Sequence, residues 1–400
     1  MAEQWVRGPV GMGSDATVTR SGLRNVLVLV PHLVAGTRLL DLLRLFEGDK
    51  RVQVVFTVPS TLATWRGAAE LVVAQGGVLL PWHQATQTGF DLVLAAGSLG
   101  VFDVRGPVLY VPHGGGFAQY RFRPRRSGHV QPVAGLDRQF LMRDGAVRPA
   151  AIVLTHEWER AVLREWCPEA VDRAVVAGDI ALDRLVASVP FRDSYRAALG
   201  VSAGQRTVVV SSTWTSQSAF GRHPDLFERL MAELPSADYR VVALLHPNIW
   251  CNHGAWQVRA WLADSVRAGL VLVPPEDGWR AALVAADLVI GDYGSVTQYA
   301  AAIHRPVLLA ATPDDDYLPG SPAAAVRRTA PGFRLDRPLL PQVRDAVDHT
   351  RRSGIADLLT SEPGRAGRIL RRTMYRLLGL SEPAREVHTA AVSLPHPVAW

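Results

Sequence analysis

Residues 286–306 read ADLVIGDYGSVTQYAAAIHRP, and the change of character along that run points to the fold. Asp287–Gly291 is a short, mostly apolar stretch of the kind that fills a buried parallel strand. It ends at Gly291-Asp292, and a tight turn is expected through Gly294. Ser295 is then expected to cap a helix running to about Ile303. A glycine lets backbone approach a ligand closely, and the exposed N–H groups of a helix start attract phosphate. The plainer reading is an ordinary turn between strand and helix with a serine cap. What favours more is the location, because open α/β sheets bind ligands at the carboxyl ends of their strands.

The same alternation extends outward in both directions. Strands are expected at Ala174–Val176, Thr207–Ser211, Tyr239–Leu245, Leu270–Val273 and Pro306–Ala310, with helices at Arg192–Leu199, Pro224–Glu233 and Gly278–Ala286. An earlier series has strands at Asn25–Val30, Val52–Thr57, Gly77–Leu80, Asp91–Ala95, Val108–Val111 and Ala151–Leu154. Helices at Thr37–Phe46 and Leu62–Gln75 lie between them. Strands that alternate with helices and lack hairpin signals predict parallel sheets covered on both faces. The α/β class follows, with two Rossmann-like domains facing across a cleft. Residues 1–22 form a loose arm, 23–175 the first domain and 176–360 the second. A helix over 361–380 is expected to cross back to the first domain, and 381–400 is a tail.

Composition agrees with two buried cores. The chain has 400 residues, 48% of them hydrophobic and 20% charged, which excludes a disordered protein. Cys167 and Cys251 are its only cysteines, too few for a disulfide framework or a cysteine-based zinc site. The first residues lack a secretory h-region, and no run reaches roughly 18 apolar residues, so a soluble, cytoplasmic protein is expected. Net charge is +6, nearly all the basic residues being arginine, with Lys50 the one lysine. A G+C-rich coding sequence gives that bias by itself. Arginine also suits phosphate-rich ligands, which it binds bidentately.

Three further strand ends carry candidate chemistry. Val108–Val111 delivers Pro112-His113 to a loop containing Gly114, Gly115 and Gly116. A histidine near its ordinary pKa suits proton abstraction from a hydroxyl, and three glycines clear space around it. Tyr239–Leu245 ends in His246-Pro247, where an imidazole can steady a leaving phosphate. Thr207–Ser211 runs into Ser212-Thr213, which adds hydroxyl and amide donors. In each case a histidine or hydroxyl that merely satisfies local backbone is the alternative. Arg121, Arg123, Arg125 and Arg126 follow the glycine loop and suit an acidic acceptor, lipid headgroups or a plain exposed surface. Asp314–Asp316 reads as a solvated loop. Residues 364–380 form a basic amphipathic helix, better suited to packing than to membrane binding. Neither a P-loop nor Gly-x-Gly-x-x-Gly after the first strand is present.

Taken in order, these segments resemble the CDP-glycerol glycerophosphotransferase family, which polymerises or primes teichoic-acid-type chains, within the GT-B superfamily. The matching residues are His113-Gly114, Gly178 to Leu185 (GDIALDRL), Ser212-Thr213-Trp214, His246-Pro247 and Asp292-Tyr293-Gly294-Ser295-Val296, spanning about 110–300. Three positions depart from that family. Gly294 replaces a serine, Tyr299 stands where an acidic residue is usual, and the loop after His113 lacks a lysine.

The resemblance implies a metal-independent transfer of a glycerol-phosphate-like group from a CDP-activated donor to an acceptor hydroxyl, releasing CMP, with no cofactor. In that scheme His113 is the base and His246 stabilises the leaving phosphate. Ser212, Thr213, Asp292, Gly294, Ser295 and Val296 hold the donor. Gly114 to Gly116, Arg121 and Arg123 face the acceptor. Expected partners are a nucleotide-diphosphate donor, a CDP-polyol or a UDP-sugar, and an unnamed hydroxyl acceptor, but no nucleic acid. Peripheral association with the inner face of the membrane stays open. The rival readings are a UDP-sugar glycosyltransferase or nucleotide-sugar 2-epimerase, and a catalytically silent nucleotide-binding protein of the same fold.

Overall fold

The computed structural model describes residues 5–11, 14, 18–60, 67–117, 119, 132–312, 317–348 and 354–398. Its contacts divide the chain into two units. The first holds residues up to 117 together with 132–180 and 361–388; the second holds 181–360 and the segment from 389 onward.

In the first unit the strands are β1 (Arg24–Leu29), β2 (Val52–Thr57), β3 (Leu79–Leu80), β4 (Leu92–Ala96), β5 (Val108–Val111), β6 (Met142–Arg143), β7 (Ala146–Val147), β8 (Pro149–Leu154) and β9 (Ala174–Val176). Seven of them form one sheet in the order β3-β2-β1-β4-β5-β8-β9, all parallel, while β6 and β7 make a small antiparallel hairpin. Val26 of β1 pairs with Val54 on one side and Leu92 on the other, so β1 is central. A central strand covered on both faces needs an unbroken apolar run, and Val26–Leu29 is fully buried.

The strand Ala174–Val176 corrects the expected series. Instead of opening the second sheet it pairs with β8, Ile152 opposite Ala174, as the edge of the first. Its three side chains are all half-buried, as an edge position allows. Linear order alone cannot say on which sheet such a short strand closes. The helix Ala366–Leu378 also packs in this unit, through Leu370, Met374 and Leu378. Tyr375 Oη donates to Asp49 Oδ2 at 2.8 Å.

The second unit carries β10 (Arg206–Ser212), β11 (Tyr239–Leu245), β12 (Val271–Val273), β13 (Leu288–Gly291) and β14 (Val307–Leu309). Their order is β12-β11-β10-β13-β14, again all parallel. Alternate residues serve opposite faces. Val209, Val242 and Val289 pack with the helix Trp279–Ala285, whereas Val208, Val210, Val241 and Ile290 pack with Leu226, Leu230 and Leu262. The chain's last segment lies along this unit. Val392 N–H donates to Ser188 Oγ at 3.0 Å and its carbonyl accepts from Tyr195 Oη at 2.8 Å. Among the described residues no helix is long and apolar enough to cross a membrane.

Candidate functional site

In each sheet the strand order reverses beside the first strand, between β1 and β4 and between β10 and β13. Loops leaving such neighbours diverge and open a crevice at the carboxyl edge. Every candidate residue that the structure describes lies at one of these two edges.

At the second edge Asp292 is the organising side chain. It is buried after β13, and its Oδ2 accepts from the N–H and the hydroxyl of Thr213, both at 2.8 Å, and from Ala219 N–H at 3.0 Å. Oδ1 accepts from Gly294 N–H at 3.1 Å. Burial raises its pKa while these donors pull it down. Asp292 thus ties the loop after β10 to the turn after β13. Ser212 is tied in as well: its hydroxyl donates to Thr213 O and accepts from Phe220 N–H, each at 2.9 Å.

Gly294, not Ser295, is the cap residue of the helix Ser295–Ala302, and no side chain caps that end. The expected serine cap is corrected, because Asp292 has already taken the N–H of Gly294 and Ser295 lies one position inside the helix. Ser295 and Val296 are half-buried at its first turn. Beside them lies a small hollow, open at its mouth and lined by Tyr293, Gly294, Gln298, Leu309, Tyr317 and Arg327 among others. His246 follows β11 and caps the helix Pro247–His253; its Nδ1 accepts from Asn248 N–H at 3.1 Å. A neutral ring bonded in this way carries its proton on Nε2. The Trp214 ring lies 6.5 Å from it, centroid to centroid.

At the first edge His113 follows β5. Its side chain is exposed. Desolvation, and secondarily the charge of Arg38, holds its pKa below the ordinary imidazole value. His32, after β1, meets it edge to face with centroids 5.3 Å apart. His32 is itself fixed by accepting Ala35 N–H on Nδ1 at 3.1 Å. Arg38 donates to Gly114 O at 2.8 Å and to Asp179 Oδ1 at 3.0 Å, the latter a buried ion pair.

The three glycines were expected to leave room at the imidazole. At Gly116 the room is already filled, since a Cβ there would lie 2.5 Å from Glu159 Oε1 and 2.8 Å from Thr155 Oγ1. Glu159 is fully buried, and burial pushes its carboxyl up to about 7 against several donors. Arg121 and Arg123, along with Asp314–Asp316, lie outside the described residues. Among the described residues no three His, Cys, Asp or Glu side chains converge as a metal set would.

No family's sequence profile matches this chain, and no curated protein matches it in sequence. The likeness is structural. The wall teichoic acid polymerase TagF superposes with a TM-score of 0.56 over 91% of this chain and 92% of its own, at 13% identity. The fold is GT-B-like. The UDP-GlcNAc 2-epimerase of Neisseria meningitidis, solved with UDP-GlcNAc bound, gives 0.51 over 89% of this chain and 100% of its own, at 13% identity. S. aureus MnaA, solved with UDP, gives 0.51 over 93% and 100%, at 14% identity. Likeness at such identities is likeness of fold.

The departures at 294 and 299 have local causes in this GT-B-like chain. A Cβ on Gly294 would come within 2.8 Å of Thr213 Cγ2, so the threonine methyl takes the space a serine would use. Tyr299 is buried in the core, its ring 5.5 Å from that of Trp279, and does not face the edge. His32, Arg38 and Glu159 are the site residues that sequence reasoning missed. Pro31-His32 at the end of β1 does mirror His246-Pro247 at the end of β11. Arg38 reads as an ordinary solvent-facing residue of an amphipathic helix.

Proposed function

We propose that this chain is a transferase using a nucleotide-diphosphate donor held on the second unit, its pyrophosphate against the start of the helix Ser295–Ala302. The observation that carries this reading is the Asp292 tie, which fixes the turn at the reversal point of the sheet. The first N–H groups of a helix lack intrahelical acceptors, and here they lie on a preformed turn. Ser212 and Thr213 shape the neighbouring loop, and His246 offers Nε2–H to a phosphate oxygen.

By the resemblance described above, the donor is CDP-glycerol or a similar CDP-polyol. His113 takes the proton from an acceptor hydroxyl as its oxygen attacks the phosphorus that bears the polyol. The P–O bond to CMP breaks, and CMP leaves with the bonding electrons while His246 stabilises the developing charge. The lowered pKa of His113 keeps it unprotonated at neutral pH, as a base must be. One TagF structure comes from crystals soaked with CDPG, which supports this donor class.

A second reading, a UDP-sugar enzyme, has support of its own in the likeness to the epimerase solved with UDP-GlcNAc. A thermal-shift panel of CDP-glycerol, CDP-ribitol, CMP, UDP-GlcNAc and UDP separates the two, since a ligand of the native state raises the melting temperature. A shift with UDP compounds alone would reject the CDP-polyol reading. Single-turnover transfer from CDP-glycerol then tests the chemistry.

A further inference from the structure

The helix Glu157–Trp166 opens with a capping box: His156 Nδ1 accepts Trp158 N–H at 3.0 Å, and Glu159 reaches back to His156 N–H at 3.3 Å. A capping box needs no more than this reciprocal pair, and glutamine serves in it as well as glutamate. Glu159 does more. Its Oε2 also accepts Thr155 N–H at 2.6 Å and Thr155 Oγ1–H at 3.2 Å, and its Oε1 accepts Phe117 N–H at 2.5 Å. The contact with Phe117 spans 42 positions of sequence and lands on the last residue of the glycine loop.

The carboxylate form accepts from all four of these groups at once. The backbone is built to admit it. Gly116 adopts φ +82°, and a side chain there would strike both Glu159 and Thr155. The near end of the same loop is fastened by Arg38 on Gly114 O, with Asp179 bracing Arg38 from behind. His113 projects from the start of a loop gripped at 114 and 117.

We propose that Glu159 is a positioning residue for His113, holding the 113–117 loop so that the imidazole stays at the end of β5 beside His32. The inference rests on reading His113 as the base, and it goes beyond that reading by naming what sets the base in place. A buried carboxylate is a costly way to make a helix cap, and the contact with Phe117 explains its presence.

Glu159→Gln keeps the shape but turns an –NH₂ toward a donor. Expected results are a fall in kcat of about 10- to 100-fold, the scale of an ångström-sized misplacement of a reacting group, with donor KM within twofold of native. The His113 Cε1–H resonance shifts, and Phe117 amide hydrogen exchange speeds up. Gly116→Ala, whose methyl pushes the loop off the carboxylate while leaving Glu159 itself unsubstituted, should reproduce the same split and serves if Glu159→Gln does not fold. A folded variant with native kcat and an unmoved His113 resonance overturns the proposal, as does a variant in which kcat and KM change together. The resonance and exchange measurements need no substrate. If His113→Ala transfers at the native rate, the base reading falls, whereas the hold of Glu159 on the loop is judged by those two measurements alone.

Discussion

Thr213 gives Asp292 both its backbone N–H and its hydroxyl, each at 2.8 Å, across 79 positions of sequence. That pair joins the loops of two strands that neighbour each other in the sheet but are far apart in the chain, and it places the turn at which we expect the donor. Asp292→Asn presents an amide where only donors converge, leaving buried N–H groups unsatisfied. The expected cost is about 1–3 kcal/mol of stability, with nucleotide affinity at least tenfold weaker. Thermal melting and calorimetry with CDP-glycerol or UDP check both. Native affinity in the folded variant would show that the turn does not form the donor site.

Gly294 and Thr213 form a second testable pair. Gly294→Ser restores the residue that the resembled family carries, yet its Cβ would meet Thr213 Cγ2 at 2.8 Å. Overpacking of this kind costs about 1–3 kcal/mol. Thr213→Ser deletes the offending methyl and keeps the hydroxyl for Asp292. The double variant should therefore recover at least half of the loss caused by Gly294→Ser, a coupling visible in a double-mutant cycle of denaturation midpoints. Simple additivity would mean that the methyl is not what excludes serine.

How much of this was legible beforehand depended on whether the signal was local. The strands Val52–Thr57, Val108–Val111 and Tyr239–Leu245 agree with the structure to the residue, because an apolar β-rich run bounded by polar or turn residues is its own evidence. The helix Ala255–Arg267 went unread: it follows another helix directly at Gly254, and only Val258, Leu262 and Ser265 turn inward. The helix Leu339–Asp348 has Pro341 in its first turn, which reads as a break. At the candidate site the histidines and hydroxyls stood out because strand ends announce themselves. Their supports did not, since Glu159 meets Phe117, and Arg38 meets Asp179, only after both chain segments have folded.

His113 sets the pH dependence of transfer. A base acts unprotonated, and desolvation with the Arg38 charge lowers its pKa from 6.5. The acid limb of the kcat/KM profile should therefore fall off below pH 6.5 rather than at or above it. His113→Ala should abolish that limb and reduce transfer by about 10²–10⁴, with nucleotide affinity unchanged. An acid limb above 6.5, or one that persists in the variant, would assign the titration to another group. His246→Ala should instead weaken donor binding and turnover together, as expected of a group on the phosphate side.

The last expectation concerns the hold of the first unit on the helix Ala366–Leu378. Asp49 accepts Tyr375 Oη at 2.8 Å and pairs with Arg51 at 2.7 Å. Hydrogen bonds from Arg51, with a smaller contribution from Tyr375, hold its carboxyl well below the usual carboxylate range. The sign follows from linkage. Unfolded Asp49 binds a proton near the ordinary aspartate value of 3.8, whereas the folded carboxylate resists it. Its contribution to stability is therefore fully present above about pH 4 and is lost as the pH falls toward the depressed folded value. Tyr375→Phe removes one donor to the carboxylate, at an expected cost of about 1–2 kcal/mol at neutral pH. Because the variant raises the folded pKa of Asp49 part of the way back, its deficit relative to the native chain should hold from pH 7 to 4 and narrow only as the pH falls to about 2 and below, where the folded carboxyl takes up its proton. Denaturant titrations at pH 7, 4 and 1.5 measure this directly. A deficit that stays undiminished down to pH 1.5 would show that the hydroxyl does not act through the charge of Asp49.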